Sequence, residues 1–116
     1  MVSNLSPKES RIGNMDIYTL NELQFNALTH SAKNAAPILV PEPNPVGTQE
    51  ERDEAQNGIK VMQDLVDLGL MINVSGLEKN KASIEQFKER MGYGLQFFLV
   101  SPDGYQLFKR ENLVVN

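Results

Sequence analysis

Cysteine is absent from the 116-residue sequence, and histidine occurs only once. Without cysteine, the chain supplies no disulfide, no thiolate nucleophile and no cysteine ligand for zinc or an iron–sulfur cluster. A single histidine also leaves little material for acid–base chemistry or for a histidine-based metal site. These absences fit an intracellular setting, and we expect a cytoplasmic protein.

Long hydrophobic runs are missing as well. The longest apolar stretches, residues 38–40 and 97–100, are far shorter than the roughly 20 residues of a membrane-spanning helix. The first residues, MVSNLSPKES, have neither a basic start nor a long apolar run, so we expect no secretory signal. We therefore expect no membrane partner.

The length and the hydrophobic content of 41% indicate one domain with a single core of two packed layers. Residues 1–16 are polar, contain Pro7 and Gly13, and show no helical or strand period, so they predict an extended N-terminal arm. We place the domain at residues 17–110. Residues 111–116 form a short C-terminal tail.

Residues 48–70 carry the longest helical pattern. Thr48 and Glu51 form a capping-box pair at its start, and Gly69 followed by Leu70 predicts a Schellman stop at its end. Between these ends, apolar residues recur at steps of three and four, which predicts one buried side. The stretch holds six acids and two bases, so it accounts for the whole formal charge of −4.

Two further helices follow from the same kind of pattern. Thr19 to Glu22 repeats the capping-box arrangement, and the apolar period after it predicts a helix to about Asn34. A weaker box at residues 75–78 precedes a helix that ends before Gly92, with residues 82–91 as its better-marked part. Phe25 lies off the main stripe of the first helix. It either widens the buried face or contacts a partner.

A proline-rich connector joins the first two helices. Pro41, Pro43 and Pro45 prevent a helix, while residues 38–40 predict a short edge strand. The connector is either a stiff spacer or a polyproline segment that a partner recognises.

The C-terminal third predicts a β-hairpin. LQFFLV and YQLFKR flank Ser101-Pro102-Asp103-Gly104, residues that suit a type I turn followed by a left-handed glycine. In that register, Leu99 faces Leu107 and Phe98 faces Phe108. Both sides of the hairpin are then apolar, so its second side must meet the arm, the tail or another chain.

The order of these elements is helix, short strand, helix, helix, strand, turn, strand. Residues 65–70 (LVDLGL) look like the close of a helix before a wing, and residues 100–108 (VSPDGYQLF) look like a second wing strand with its turn. Over residues 17–110 the chain therefore resembles the winged-helix superfamily. The resemblance implies an α+β fold of about three helices packed on a C-terminal β-hairpin, with a short third strand.

The resemblance also implies a recognition helix for the DNA major groove. The acidic helix does not suit this role, because its first turn carries carboxylates, whereas a DNA reader needs hydrogen-bond donors to the phosphates and bases. The helix that ends at Met91 remains as the alternative. Under this alternative reading, a DNA-binding transcriptional regulator, the contacts are Lys79, Lys81, Lys88, Arg90, Lys109 and Arg110.

No constellation of catalytic residues is evident. Near the end of the first helix, His30 is expected to be a surface residue or a partner of the helix dipole rather than a catalytic base, with nothing predicted to pair with it. The acids of residues 50–54 point in different directions around a helix, so capping is a better explanation for them than a cation site. Gly92 and Gly94 lack the spacing of a nucleotide-binding loop. We predict no enzymatic activity, no cofactor and no metal.

Winged-helix frameworks also serve as protein-binding modules, so the fold class does not decide between DNA and protein partners. We expect a structural or interaction subunit of a larger homo- or hetero-assembly, such as a bacteriophage or viral particle, and hence a cytoplasmic or virion-associated location. The residues predicted to contact other chains are Leu5, Ile12, Phe25, Pro41, Pro43, Pro45, Phe98, Phe108, Leu113, Val114 and Val115.

Overall fold

The computed structural model describes the backbone of residues 9–12, 15–110 and 113–115, and the side chains of residues 18–110. Within these residues the chain forms an α+β fold, which confirms the predicted class. In chain order the elements are β1 (Glu9–Ile12), β2 (Met15–Leu20), α1 (Glu22–Asn34), β3 (Ile38–Pro41), α2 (Gln49–Asp67), β4 (Met71–Asn73), α3 (Glu78–Met91), β5 (Leu95–Val100), α4 (Pro102–Arg110) and β6 (Leu113–Val115).

The central sheet is antiparallel, with the strand order β3-β5-β4. Ile38 of β3 lies opposite Phe98 of β5, and Ile72 of β4 lies opposite Leu99. Residues 38–40 therefore form an edge strand, as predicted. Because side chains alternate between the two faces of a strand, Phe98 and Phe97 of the central strand point to opposite sides.

The hydrophobic core lies on the side of the sheet that carries Phe98. There the sheet packs against α1, α2 and α4, which contribute Leu28, Leu65 and Leu107. On the opposite side, α3 packs against β5, and Phe97 is only 6% exposed. The sequence predicted the arm, the tail or another chain as the cover on the second side of the hairpin. In the structure, α3 of the same chain covers the Phe97 side of β5.

A second sheet joins both ends of the described chain, with the order β1-β2-β6. β1 runs antiparallel to β2, and β6 runs parallel to β2 with Thr19 opposite Val114. The predicted arm and tail therefore contribute strands, and β2 continues across the predicted boundary at residue 17. Leu5, one of the predicted contact residues, lies outside the described residues.

The acidic helix α2 has the ends that its sequence predicts. The backbone N–H of Glu51 donates to Thr48 Oγ1 at 3.1 Å, and the Thr48 N–H donates to Glu51 Oε1 at 2.9 Å. Gly69 has a φ of 80°, and the Leu70 N–H donates to the Leu65 carbonyl at 2.9 Å. These are the bonds of a capping box and a Schellman motif, so both predictions are confirmed.

The other two predicted capping boxes do not form. α1 begins at Glu22, and its capping box is formed by Asn21 and Gln24. Thr19 cannot cap this helix, because it belongs to β2 and lies opposite Val114 of β6. At α3 the N-cap is Leu77, which provides no side-chain cap. Ser75 Oγ instead accepts the backbone N–H of Phe97 at 2.9 Å, a tertiary bond that the local sequence does not reveal.

The predicted C-terminal hairpin is wrong, because residues 102–110 form helix α4. Ser101 caps this helix: the Gly104 N–H donates to Ser101 Oγ at 2.9 Å, while Pro102 occupies the first helical position. A serine cap followed by proline favours a helix start as readily as it favours a turn. Leu107 then reaches the core at helical spacing, and Phe98 and Phe108 are not partners across two strands.

Ser31 joins the end of α1 to the end of β5. Its side chain is completely buried, donates to the Ala36 carbonyl at 2.8 Å and accepts the Val100 N–H at 2.9 Å. We expect Ser31→Ala to lower the free energy of unfolding by about 1 to 3 kcal/mol, because it leaves the Val100 N–H without this acceptor. Urea denaturation monitored by circular dichroism measures the change.

The matched control is Ser83→Ala in α3, because Ser83 is exposed and its Oγ donates only to the Lys79 carbonyl of its own helix. We expect this control to change the free energy of unfolding by less than about 0.5 kcal/mol. Equal effects of the two substitutions would contradict the assigned role of Ser31.

Candidate interaction surface

The outer face of the central sheet, defined as the side that carries Phe97, is only partly covered. It presents Leu39, Leu95, Phe97, Leu99 and Ile72, which alternate with the core-facing residues of their strands. α3 contacts the central strand β5, and the exposed residues of this face lie on the two edge strands. Leu39 on β3 is 49% exposed and Ile72 on β4 is 46% exposed.

A groove of about 580 Å³ runs between α3 and the β3 side of the outer face. We call it the α3 groove. Four apolar side chains supply its floor and walls, two of them being Phe87 of α3 and Phe97 of β5. The full lining is Leu39, Ser83, Gln86, Phe87, Glu89, Arg90, Leu95 and Phe97.

Helical spacing places the α3 side chains along the groove. The lining residues of α3 recur at three- and four-residue steps, so they share one side of the helix. These residues are Ser83, Gln86, Phe87 and Arg90. The Phe87 ring contacts the Tyr93 ring edge-on, with the two centroids 5.4 Å apart. Arg90 is exposed and forms no ion pair with any side chain in residues 18–110. The groove thus combines an apolar floor with two charged rim residues, Glu89 and Arg90, that form no ion pair with described side chains.

The outward edge of β3 is poor at binding another strand. The Glu42 N–H donates to the Gly94 carbonyl at 2.9 Å, so by alternation Ile38 and Val40 also face β5. Leu39 and Pro41 then face outward, and proline has no N–H to donate. Prolines commonly protect sheet edges in this way. The α3 groove therefore offers side chains to a partner much more than it offers backbone hydrogen bonds.

A second apolar feature is the turn at residues 44–47, which we call the Val46 turn. Val46 is 91% exposed, the largest value among the exposed large hydrophobic residues. The turn is nevertheless well bonded: the Gly47 N–H donates to the Asn44 carbonyl at 3.0 Å, and the Val46 N–H donates to Asn44 Oδ1 at 3.1 Å. Arg52 also donates to the Gly47 carbonyl. Val46 is therefore held outward on an ordered turn.

The residues predicted to contact partners are widely separated. Phe98 is completely buried in the core, while Phe25 and Phe108 are half-buried, and Phe25 packs against the core. In the connector, Pro41 and Pro45 are exposed and Pro43 is half-buried. The remaining four, Ile12 in β1 and Leu113, Val114 and Val115 in β6, have described backbones only.

The residues predicted to contact DNA do not share one face. Successive residues of an α-helix are rotated by roughly 100°. Lys79 and Arg90 therefore fall on one side of α3, and Lys81 and Lys88 fall on the opposite side. Lys109 and Arg110 end α4, on the core side of the sheet, where Lys109 Nζ lies 5.7 Å from the centre of the Tyr105 ring.

Potential catalytic groups in the described part of the chain are separated or already bonded. His30 is exposed, with its Nδ1 3.3 Å from Asn34 Nδ2. Glu51 caps α2, and Asp53 accepts the side-chain N–H of Gln49 at 2.8 Å. Residues 18–110 contain no group of three histidine, aspartate or glutamate side chains arranged to hold a metal ion.

Sequence reasoning missed the α3 groove and the Val46 turn as candidate sites. The alternation of LQFFLV did indicate that Leu95, Phe97 and Leu99 share a side, but nothing local indicates that α3 lies over them. No described helix is both long enough and apolar enough to cross a membrane. Comparison with protein-family models, curated proteins and solved structures finds no match for this chain.

Proposed function

We propose that this protein is a non-enzymatic interaction or structural subunit of a larger protein assembly, and that the α3 groove is one of its contact surfaces. A bacteriophage or viral particle is the kind of assembly that we expect for so small a cysteine-free subunit. The observation that supports the proposal is the α3 groove itself, an apolar floor beside a half-exposed Leu39 with polar and charged residues at its rim.

The composition of the α3 groove matches what protein contacts require. Aromatic and aliphatic side chains at the centre of an interface lose water on binding, while a polar rim remains hydrated. Leu39, Leu95 and Phe87 supply the exposed apolar surface of such a centre, above the nearly buried Phe97. The polar part of the lining is Ser83, Gln86, Glu89 and Arg90. Burial of this floor by a partner would gain roughly 25 cal/mol for each Å² of apolar surface removed from water.

The relation to the winged-helix superfamily stays a prediction, as does the DNA-binding regulator. The described chain has four helices and no hairpin after β5, so its order of elements differs from the one expected. For DNA, the four basic residues of α3 are divided between two opposite sides of the helix, with two on each side. We therefore favour a protein partner for this surface.

The proposal predicts that Leu39→Glu removes the chain from its assembly. A carboxylate at this position would have to lose its water at the centre of the contact, so we expect recovery of partners to fall at least about tenfold, or about 1.4 kcal/mol. The measurement is quantitative mass spectrometry of proteins that copurify with a tagged chain from cells that make it naturally.

Leu23→Glu is the matched control, because Leu23 is 59% exposed on α1 and does not line the α3 groove. We expect this variant to keep its partners, and circular dichroism to show that both variants are folded. Equal recovery with Leu39→Glu and Leu23→Glu would contradict the proposal. So would salt-sensitive binding of random duplex DNA that is lost when Lys79, Lys81, Lys88 and Arg90 are replaced.

A further inference from the structure

We propose that the α3 groove binds the Val46 turn of a second copy of this chain. The inference rests on the proposed function and names the partner: the chain assembles with itself. Two observations on the same molecule support it, an ordered apolar projection and a groove with an apolar floor. The helices beside them, α2 and α3, also carry net charges of opposite sign.

The Val46 turn has the properties of an anchor. Its backbone is held by the bonds within residues 44–47 and by Arg52, and Pro45 restricts it further. Space within the turn is also tight, since a Cβ added at Gly47 would lie 2.9 Å from Glu51 Oε1 and 3.3 Å from the Asn44 carbonyl oxygen. A rigid projection loses little conformational entropy on binding, which favours association.

The α3 groove has the properties of a receptor for such an anchor. Its floor is apolar, its aromatic ring Phe87 is fixed against Tyr93, and Phe97 below is almost fully buried within the fold. The small branched side chain of Val46 can bind by packing on this apolar floor, without entering a deep pocket. Backbone pairing along β3 is not required, which agrees with the missing N–H of Pro41.

The charges beside the two features are complementary. Glu50 and Glu54 follow the Val46 turn on the first turns of α2, and both are exposed without an ion pair to any described side chain. Arg90 on the groove rim is equally unpaired and shares its side of α3 with Lys79, while Glu89 is the one acid of the groove lining. Residues 48–70 carry a formal charge of −4, whereas α3 carries four bases and three acids. Attraction between these helices of two copies would favour the docked orientation.

Because the Val46 turn and the α3 groove are different surfaces, the contact joins unlike patches. Contacts of this kind either repeat into a ring or filament, or close as a reciprocal pair. In each case the mass of the purified chain must rise with concentration. Sedimentation equilibrium from the micromolar to the millimolar range measures this rise directly.

The first test uses one variant for each surface. We expect Val46→Ser and Leu39→Glu each to weaken self-association by about tenfold or more, because each removes the apolar match from one side of the contact. The matched control Leu23→Ser lies on neither surface and is expected to associate like the unmodified chain. Because Val46 is 91% exposed, Val46→Ser is not expected to change the stability of the fold. Weaker self-association of this variant therefore reports on the contact itself.

The decisive test mixes the two variants. Val46→Ser retains an intact α3 groove, and Leu39→Glu retains an intact Val46 turn. We expect the mixture to form one-to-one heterodimers, although each variant alone stays monomeric. In a separate variant, Arg90→Glu combined with Glu50→Lys and Glu54→Lys is expected to restore much of the association lost with Arg90→Glu alone.

A chain that remains monomeric at every concentration, or variants that associate like the control, would overturn the inference. A mixture without heterodimers would do the same. If the purified chain is monomeric but Leu39→Glu still loses partners in cells, only the second copy is excluded and the proposed function remains. If Leu39→Glu keeps its partners in cells, the proposed function itself fails.

Discussion

Replacing Gly104 by alanine is expected to lower the free energy of unfolding by about 3 kcal/mol or more. A Cβ at this position would overlap the Leu70 carbonyl oxygen and would lie 3.1 Å from Val100 Cγ2. The Leu70 carbonyl cannot easily move away. It accepts the Ser101 N–H at 3.0 Å, while the Leu70 N–H closes the Schellman motif of α2.

The clash must therefore be relieved by shifting α4 away from the end of α2, which would loosen the packing of Leu107 in the core. Because small domains are stable by only about 5 to 15 kcal/mol, the loss is a large fraction of the total. Urea denaturation followed by circular dichroism measures it, with the transition midpoint expected at a clearly lower concentration.

Gly76→Ala is the matched control for this prediction. An added Cβ at Gly76 meets nothing within 4 Å, and the residue has no left-handed φ. We expect its free energy of unfolding to change by less than about 1 kcal/mol, in either direction. If Gly104→Ala and Gly76→Ala changed the free energy of unfolding equally little, α4 could not lie as close to the Leu70 carbonyl as the structure places it.

Phe98→Ala is expected to destabilise the fold by about 3 to 5 kcal/mol. Phe98 is completely buried in the central strand and lies opposite Ile38 on one side and Asn73 on the other. Its ring packs in the cluster that joins the sheet to α1, α2 and α4. Truncation therefore leaves a cavity where four elements meet, and the loss of packing adds to the loss of buried apolar area.

Two comparisons make the Phe98 prediction specific. Phe98→Leu keeps most of the apolar volume and should cost clearly less than Phe98→Ala. Leu77→Ala removes a side chain that is 50% exposed, so we expect a loss below about 1 kcal/mol. If Phe98→Ala cost no more than Leu77→Ala under the same denaturation protocol, the core would not be centred on β5.

The two phenylalanines of β5 illustrate what the sequence could predict about the candidate site. The alternation of LQFFLV indicates that Phe97 and Phe98 point to opposite sides and that both need cover. It does not indicate that α3 provides the cover on the Phe97 side. The α3 groove arises from α3 lying beside Leu39, and these residues are far apart in the chain. Sequence reasoning instead placed Phe98 on a contact surface, because it assumed a hairpin with an open side.

By itself the sequence determined the features that depend on neighbouring residues. These are the α+β class, helix α2 with its capping box and Schellman end, and the edge strand that contains Leu39. The two ends of α2 rest on bonds to a backbone only a few residues away, and the edge strand rests on the restriction of φ by proline. The α+β class follows from the apolar period of the individual segments. Such interactions are complete within one turn or one strand, so the local pattern is sufficient to predict them.

Only the tertiary structure decided the rest. Ser101-Pro102-Asp103-Gly104 suits both a β-turn and a helix start, and the helix forms with Leu107 in the core and Gly104 against the Leu70 carbonyl. The pairing of β6 with β2 and the position of α3 over β5 are likewise contacts between distant segments. Burial of apolar surface drives these contacts, and its energy depends on which segments meet rather than on their order along the chain.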